Sequence, residues 1–594
     1  MRVRQLTLAA AALLLAVGGP AGCSGAPVPA RPPEPVPVSA APTAVTGDLP
    51  PYDRAGIREG GTLRWALDAV PATLNVHAPA ATADSALLAQ ALYPSLFRPD
   101  RHGRPVPDPD YLESAESTPP GQLPQVVTYR LNPRAVWSDG TPLSVADFTA
   151  QRAALSGRDP AYTAARPAGY DAIDSITQGA DRSEVKVVLR RSCAGWQNLF
   201  GPLYPAVDTA TPAAFDRPLT GATAGHPTAG PFTVSGYDVP GGRVTLVRNP
   251  LWWGETPKAD RIDFLATPAE RRLDALDQDR LDIAPITTAV DRASAAPGSS
   301  GDAADTVDAA ARALRRAEAL PGVTVHRAAA ASLTQLTLNA ARGPLTDPAV
   351  RQALARSVDR RRTADAALTP FGLAPAPLGS HLLAGDQDGY RDNGDVLGPV
   401  DAGRLLDRAG WKRPASGGTR TKDGRSLVLT LLIPADSALA RRTADALTAG
   451  LASAGIALRP VPVPAEAFVP GHLATGDYDL ALFAWPAGPD PAADQRPVYA
   501  KPRPGPDGAL EPGDNYGRVG TEEIDRLLDR AAAELDGTAR SALLQEADTR
   551  IWQLGHSVPL YQRPELVAVR DDVAAAGAWG FTRPRFQDVG FLAR

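Results

Sequence analysis

Asp479-Leu480-Ala481-Leu482-Phe483-Ala484-Trp485, followed at once by Pro486-Ala487-Gly488-Pro489-Asp490-Pro491, is the stretch around which the chain organises itself. Residues 480 to 484 are an uninterrupted apolar run of strand length. Such a run, stopped by three prolines and a glycine, predicts a strand buried on both faces that ends in a loop. Upstream, residues 427 to 433 form a second apolar run, and a helical stretch follows from Ser437 to about Ala454. Leu439, Leu447 and Leu451 face a core in that helix, Gly455 stops it, and Ile456-Ala457-Leu458 starts a further strand. The segment therefore reads as a strand, helix, strand crossover. Ligands of open α/β sheets gather outside the carboxyl ends of the strands. Trp485, with its proline-stiffened loop and one carboxylate, is thus either a wall of a binding site or a core tryptophan closing off a sheet.

Working outward, 594 residues are too many for one core, and domains of about 100 to 200 residues put three or four in the chain. A net charge of -5, with no basic cluster interleaved with aromatics, argues against a nucleic-acid partner. Only 5 of the 61 basic residues are lysine, which reflects the codon bias of a GC-rich bacterial genome and not function.

Arg2 and Arg4 precede the apolar stretch Leu6 to Val17, and Ala21-Gly22-Cys23 follows. This is a signal peptide whose apolar region is too short to span a bilayer. Its end resembles a bacterial lipobox, in which the cysteine after two small residues is diacylated, although Pro20 stands where leucine is usual. Cys23 is accordingly expected to anchor the protein to the outer face of the cell membrane, which leaves Cys193 alone. Residues 24–56, rich in Pro and Ala, read as a tether.

The folded body is expected to begin at Gly60-Gly61-Thr62-Leu63, with a loop from Ala69 to Pro79 and a helix from Ala83 to Leu92. Val126 to Leu131 alternates as a half-buried strand does. Then comes Trp137-Ser138-Asp139-Gly140-Thr141-Pro142, with Ser144 as a helix cap ahead of Asp147-Phe148. This last motif resembles the signature of the family 5 solute-binding proteins, the extracytoplasmic receptors of peptide and nickel ABC importers. The likeness continues through Gly230-Pro231-Phe232 with Asn249-Pro250-Leu251-Trp252-Trp253-Gly254 and through Pro344-Leu345-Thr346-Asp347-Pro348 with Val350-Arg351-Gln352-Ala353-Leu354. It includes Leu405-Leu406-Asp407-Arg408-Ala409-Gly410-Trp411, the 479–485 run and Val558-Pro559-Leu560-Tyr561.

The resemblance implies an α/β, two-lobed periplasmic-binding-protein-like fold of three domains, with mixed sheets flanked by helices and a discontinuous first domain. On that template residues 57–82, 205–320 and 560–594 form lobe I, residues 83–204 its accessory domain and residues 321–559 lobe II. The implied function is capture: a peptide or other small solute closes the lobes, and the closed form is recognised by ABC permease and ATPase subunits. A monomer without cofactor or metal is expected. In peptide-binding members an aspartate three residues after the strand tryptophan pairs with the ligand's α-amino group. Here that position is Gly488, and Asp490 is the next carboxylate. The expected ligand-binding residues are Trp485, Gly488, Asp490, Asn75 and Tyr516.

Asp347 caps a helix with Pro348 at its first position, and Thr538 is read as the cap of a helix stopped by Gly555. Residues 286–320 read as a polar surface loop. Asp386-Gln387-Asp388-Gly389 departs from a calcium loop in its glycine position and reads as solvated, and Asp108 and Asp110, between prolines, read as a turn. No nucleophile elbow, phosphate loop, dinucleotide fingerprint or histidine pair is present. Two rival readings are an LpqW-type envelope lipoprotein tied to cell-wall glycolipid synthesis, and an enzyme on the same scaffold, for which no converging nucleophile and base are found.

Overall fold

The 479–485 run forms the strand Leu480–Pro486 at the centre of a five-stranded sheet. It lies parallel to Val428–Pro434 and antiparallel to Ser332–Leu338. The chain is described from a computed structural model over residues 47–163, 169–218, 226–292, 303–505, 510–511 and 513–593. The signal peptide, Cys23 and nearly all of the tether lie outside these residues. Among the described residues no helix is long and apolar enough to cross a membrane.

The expected crossover is present. Val428–Pro434 and Ala457–Val463 pair in parallel, joined by the helix Ala438–Ser453, whose Leu439, Leu447 and Leu451 are buried. Ser437 caps that helix by accepting the N–H of Ala440, and its end runs into Gly455 at φ +80°, a left-handed conformation that glycine adopts without steric cost. Asp347 caps Pro348–Ser357 as read, with Val350 and Leu354 buried.

A seven-stranded mixed sheet is built on Thr62–Leu67, which pairs in parallel with Arg261–Ala266. A four-stranded antiparallel sheet carries Gln125–Leu131, whose residues alternate between buried and half-buried. One apolar core unites the four-stranded sheet with the seven-stranded one, through residues such as Leu63, Tyr93, Tyr129 and Phe200. A second core joins the five-stranded sheet and its helices to other residues of the seven-stranded sheet.

The chain passes between the two larger sheets at residues 330–331, after Val323–Ala329, and at residues 562–563, before Pro564–Arg570. These connections are bonded to each other: the Ala330 N–H donates to the Arg563 carbonyl at 2.8 Å, and the Gln562 amide donates to the Ala330 carbonyl at 3.1 Å. The strand after position 320, Val323–Ala329, is thus an edge strand of the seven-stranded sheet.

Two local expectations are corrected. The helix Gly537–Leu554 begins one residue before Thr538, because the Asp536 carboxylate reaches the Ala539 N–H at 2.8 Å and serves as the cap. Within the segment read as a loop, residues Ala303–Glu318 form a helix with Ala310, Leu314 and Ala317 buried. Their spacing of four and then three residues places them on one helical face, and the surrounding polar composition masked that stripe.

Candidate functional site

A cavity of about 870 Å³ lies where the three large sheets' modules meet. Ligand pockets are typically about 300–1,000 Å³. The four-stranded module contributes residues 97–99, 108, 110, 111, 191–193, 195, 197 and 198 to its wall. Residues 583, 584, 586 and 587 and Trp252 come from the seven-stranded module, and residues 489, 490, 493, 494 and 496 with 529, 532 and 533 come from the loop and helices that follow the five-stranded sheet's strands. Opposite walls touch. The Ala194 N–H donates to the Ala532 carbonyl at 2.7 Å, and the ring of His102 meets the Asp386 carbonyl at 2.9 Å.

Asp490, expected in the site, lines the cavity. It is the N-cap of the helix Pro491–Tyr499, with Pro491 at the first position. Its Oδ1 also accepts the Arg540 guanidinium at 2.5 Å, so its charge is offset within the protein. The carboxylate lies so close to Gly195 that a Cβ there would overlap it.

At Gly488 the carbonyl accepts the Gln387 amide at 2.9 Å. A Cβ at this position would overlap the carboxylate of Asp494, which accepts the Asp490 N–H at 3.2 Å and lines the cavity. Where the resemblance leads one to expect an aspartate side chain at 488, a carboxylate six residues further along occupies the space.

Trp485 and Tyr516 are brought together but are not among the cavity's lining residues. Their rings stack at 5.7 Å and 11°, with Phe483 packed edge-on against both. Asn75 is buried: its amide donates to the Phe215 carbonyl at 3.0 Å and its Oδ1 accepts the His77 N–H at 3.0 Å. It therefore holds the loop that presents His77 to the cavity, and burial pulls the His77 imidazole down to about 4.

The residues that sequence reading missed are charged. Asp108 and Asp110, read as a turn, both face the cavity. Arg98 stands 3.8 Å from Asp108, while Asp110 accepts the Gln587 amide at 3.0 Å and has Arg585 at 3.7 Å. Burial raises both carboxyls above the usual range, against the pull of the neighbouring arginines. Cys193 also lines the cavity; burial, reinforced by the Asp490 charge, pushes its thiol up to about 12. A thiol so protonated is a poor nucleophile.

A ligand-sized chamber closed between modules on different sheets is the arrangement of a solute-binding receptor. The model of the bacterial extracellular solute-binding proteins, family 5 middle, matches residues 108–505. The oligopeptide-binding protein OppA of Mycobacterium tuberculosis (strain H37Rv) is 35% identical over 557 residues, covering 92% of this chain and 88% of that protein. Among solved structures, the periplasmic EDTA-binding protein EppA superposes with a TM-score of 0.77 at 23% identity, covering 94% of this chain and 100% of the other. The oligopeptide-binding protein AppA of Bacillus subtilis, solved with a nonapeptide, gives 0.65 at 18% identity, with 91% and 100% covered. The chain belongs to the family 5 bacterial extracellular solute-binding proteins, and it is a substrate-binding receptor of an ABC importer.

Proposed function

We propose that the receptor captures short peptides or closely related solutes in the 870 Å³ cavity, and that capture holds two lobes closed. The observation that carries the ligand class is the 35% identity with OppA along nearly the whole chain. The lobes are taken as residues 57–82, 205–320 and 560–594, with 83–204 packed onto them, and residues 321–559, with the strand Val323–Ala329 moving with lobe I and residues 560–561 with lobe II. The paired connections at 330–331 and 562–563 are the hinge, since few backbone dihedrals there absorb the movement.

Asp494, which lines the cavity and fills the space beside Gly488, is the carboxylate assigned to a ligand ammonium. Trp485 and Tyr516 act as a rigid backing to this end of the site. The reading is of binding without catalysis, which membership of a solute-binding family supports. A thermal-shift screen of short peptides against their N-acetylated forms tests the ligand class. A peptide at 100 times its Kd adds about 2.7 kcal/mol of stability. Absence of any stabilising peptide would set the peptide reading aside.

Membrane attachment through Cys23 is part of the same proposal, with the tether of residues 24–56 spacing the receptor from the surface. Cys23→Ala is expected to abolish fatty-acid labelling and to release the protein into the medium. Wild-type protein that takes up no labelled lipid would mean that Pro20 prevents processing.

A further inference from the structure

Among the described residues lining the cavity are four arginines: 98, 191, 496 and 583. Three face a carboxylate: Arg98 lies 3.8 Å from Asp108, Arg191 lies 2.6 Å from Asp171, and Arg496 pairs with Asp529. Arg583 makes no side-chain hydrogen bond or ion pair with any described residue, and the charge nearest to it is that of Arg98. Its side chain is exposed and lines the cavity.

The backbone beneath Arg583 is fixed. One Arg98 nitrogen donates to the carbonyls of Arg583 and Pro584 at 3.0 and 3.1 Å. The Glu565 carboxylate accepts the N–H groups of Trp579 and Gly580 at 3.0 and 2.9 Å, which ties the turn leading to Arg583 to the strand Pro564–Arg570. With its backbone anchored at the cavity wall, the Arg583 guanidinium offers the planar fork of donors that carboxylates accept in a bidentate manner.

We propose that Arg583 is the anion subsite of the cavity and binds a carboxylate of the captured solute, with Arg98 fixing its backbone and adding to the positive field. This assignment rests on the reading of the cavity as the ligand site and narrows it to solutes carrying a carboxylate, such as peptides with a free C-terminus.

The test uses the full chain and two probes. The first is a mixed pool of tri- to pentapeptides, offered with free or amidated C-termini and read by native mass spectrometry. The second is glutarate, read by thermal shift. Wild-type protein is expected to retain free acids at least tenfold over amides. Arg583→Gln is expected to lose that preference while holding amides as before, and its unliganded melting temperature should be unchanged or higher, because a like charge has been taken from beside Arg98. An equal preference for free acids in Arg583→Gln overturns the assignment but leaves the peptide reading standing. If wild type retains neither pool, the peptide reading fails and glutarate decides. A stabilising shift in wild type that is absent from Arg583→Gln supports the anion subsite, and the same response in both proteins overturns it.

Discussion

Gly195→Val is expected to weaken solute binding by roughly five- to a hundredfold while leaving the unliganded protein's melting temperature nearly unchanged. Gly195 follows the last strand of the four-stranded sheet's hairpins and packs directly on the Asp490 carboxylate, which belongs to the loop after Leu480–Pro486. A side chain at 195 overlaps that carboxylate only when the two walls are together. Overpacking costs about 1–3 kcal/mol, and each 1.4 kcal/mol is about tenfold in affinity. In the proposed open form the clash is relieved, so the cost falls on the closed form alone. Titration of wild type and variant with peptides retained by the wild type checks this. Equal affinities would mean that the contact is not part of closure.

Asp548→Ala is expected to have the largest effect on stability, about 3–5 kcal/mol, as when one side of a buried polar or ionic pair is removed. Its Oδ1 accepts the backbone N–H of His381 at 2.8 Å and faces the ring Nδ1 at 2.7 Å, while Oδ2 accepts the Asn393 amide at 2.5 Å. His381 and Asp548 are both shut off from solvent. The deletion strands the His381 backbone N–H and the Asn393 amide and removes the ring's partner at Nδ1, and an unsatisfied buried donor costs about 1–3 kcal/mol. Nothing compensates from outside, since the other ring nitrogen of His381 is already engaged with the Ser557 carbonyl at 3.0 Å. The urea midpoint reads the loss; a midpoint shifted by less than the equivalent of about 1 kcal/mol would contradict the role given to this network.

Much of the scaffold was legible because local chemistry dictates it. The apolar run at 480–484 became a central strand, and Ser437, Asp347 and Ser144 each cap the helix that their position announced. Two misreadings were also local: Asp536 reaches the same helix end that Thr538 was assigned to, and the stripe of Ala310, Leu314 and Ala317 is too narrow to stand out from a polar segment.

The cavity was much less legible. Arg98 and Arg583 are 485 positions apart and meet only because a turn after Pro564–Arg570 folds back over the four-stranded module. Asp108 and Asp110 looked like turn residues since their partners Arg98, Arg585 and Gln587 come from distant segments. The space at Gly488 is filled by Asp494, a contact set by one turn of helix after a loop. Periodicity and caps report on neighbours in sequence, whereas these groups are neighbours only through packing.

The solute is expected to sit in the chamber lined by Asp494, Arg98 and Arg583, with the modules closed around it. A crystal structure of the protein purified with its native solute, or with a peptide retained from the pool, tests this most directly. The expected result is density for one solute inside that chamber, with a carboxylate against Arg583. An empty chamber with the solute lodged elsewhere, for instance against the Trp485 and Tyr516 rings, would contradict it.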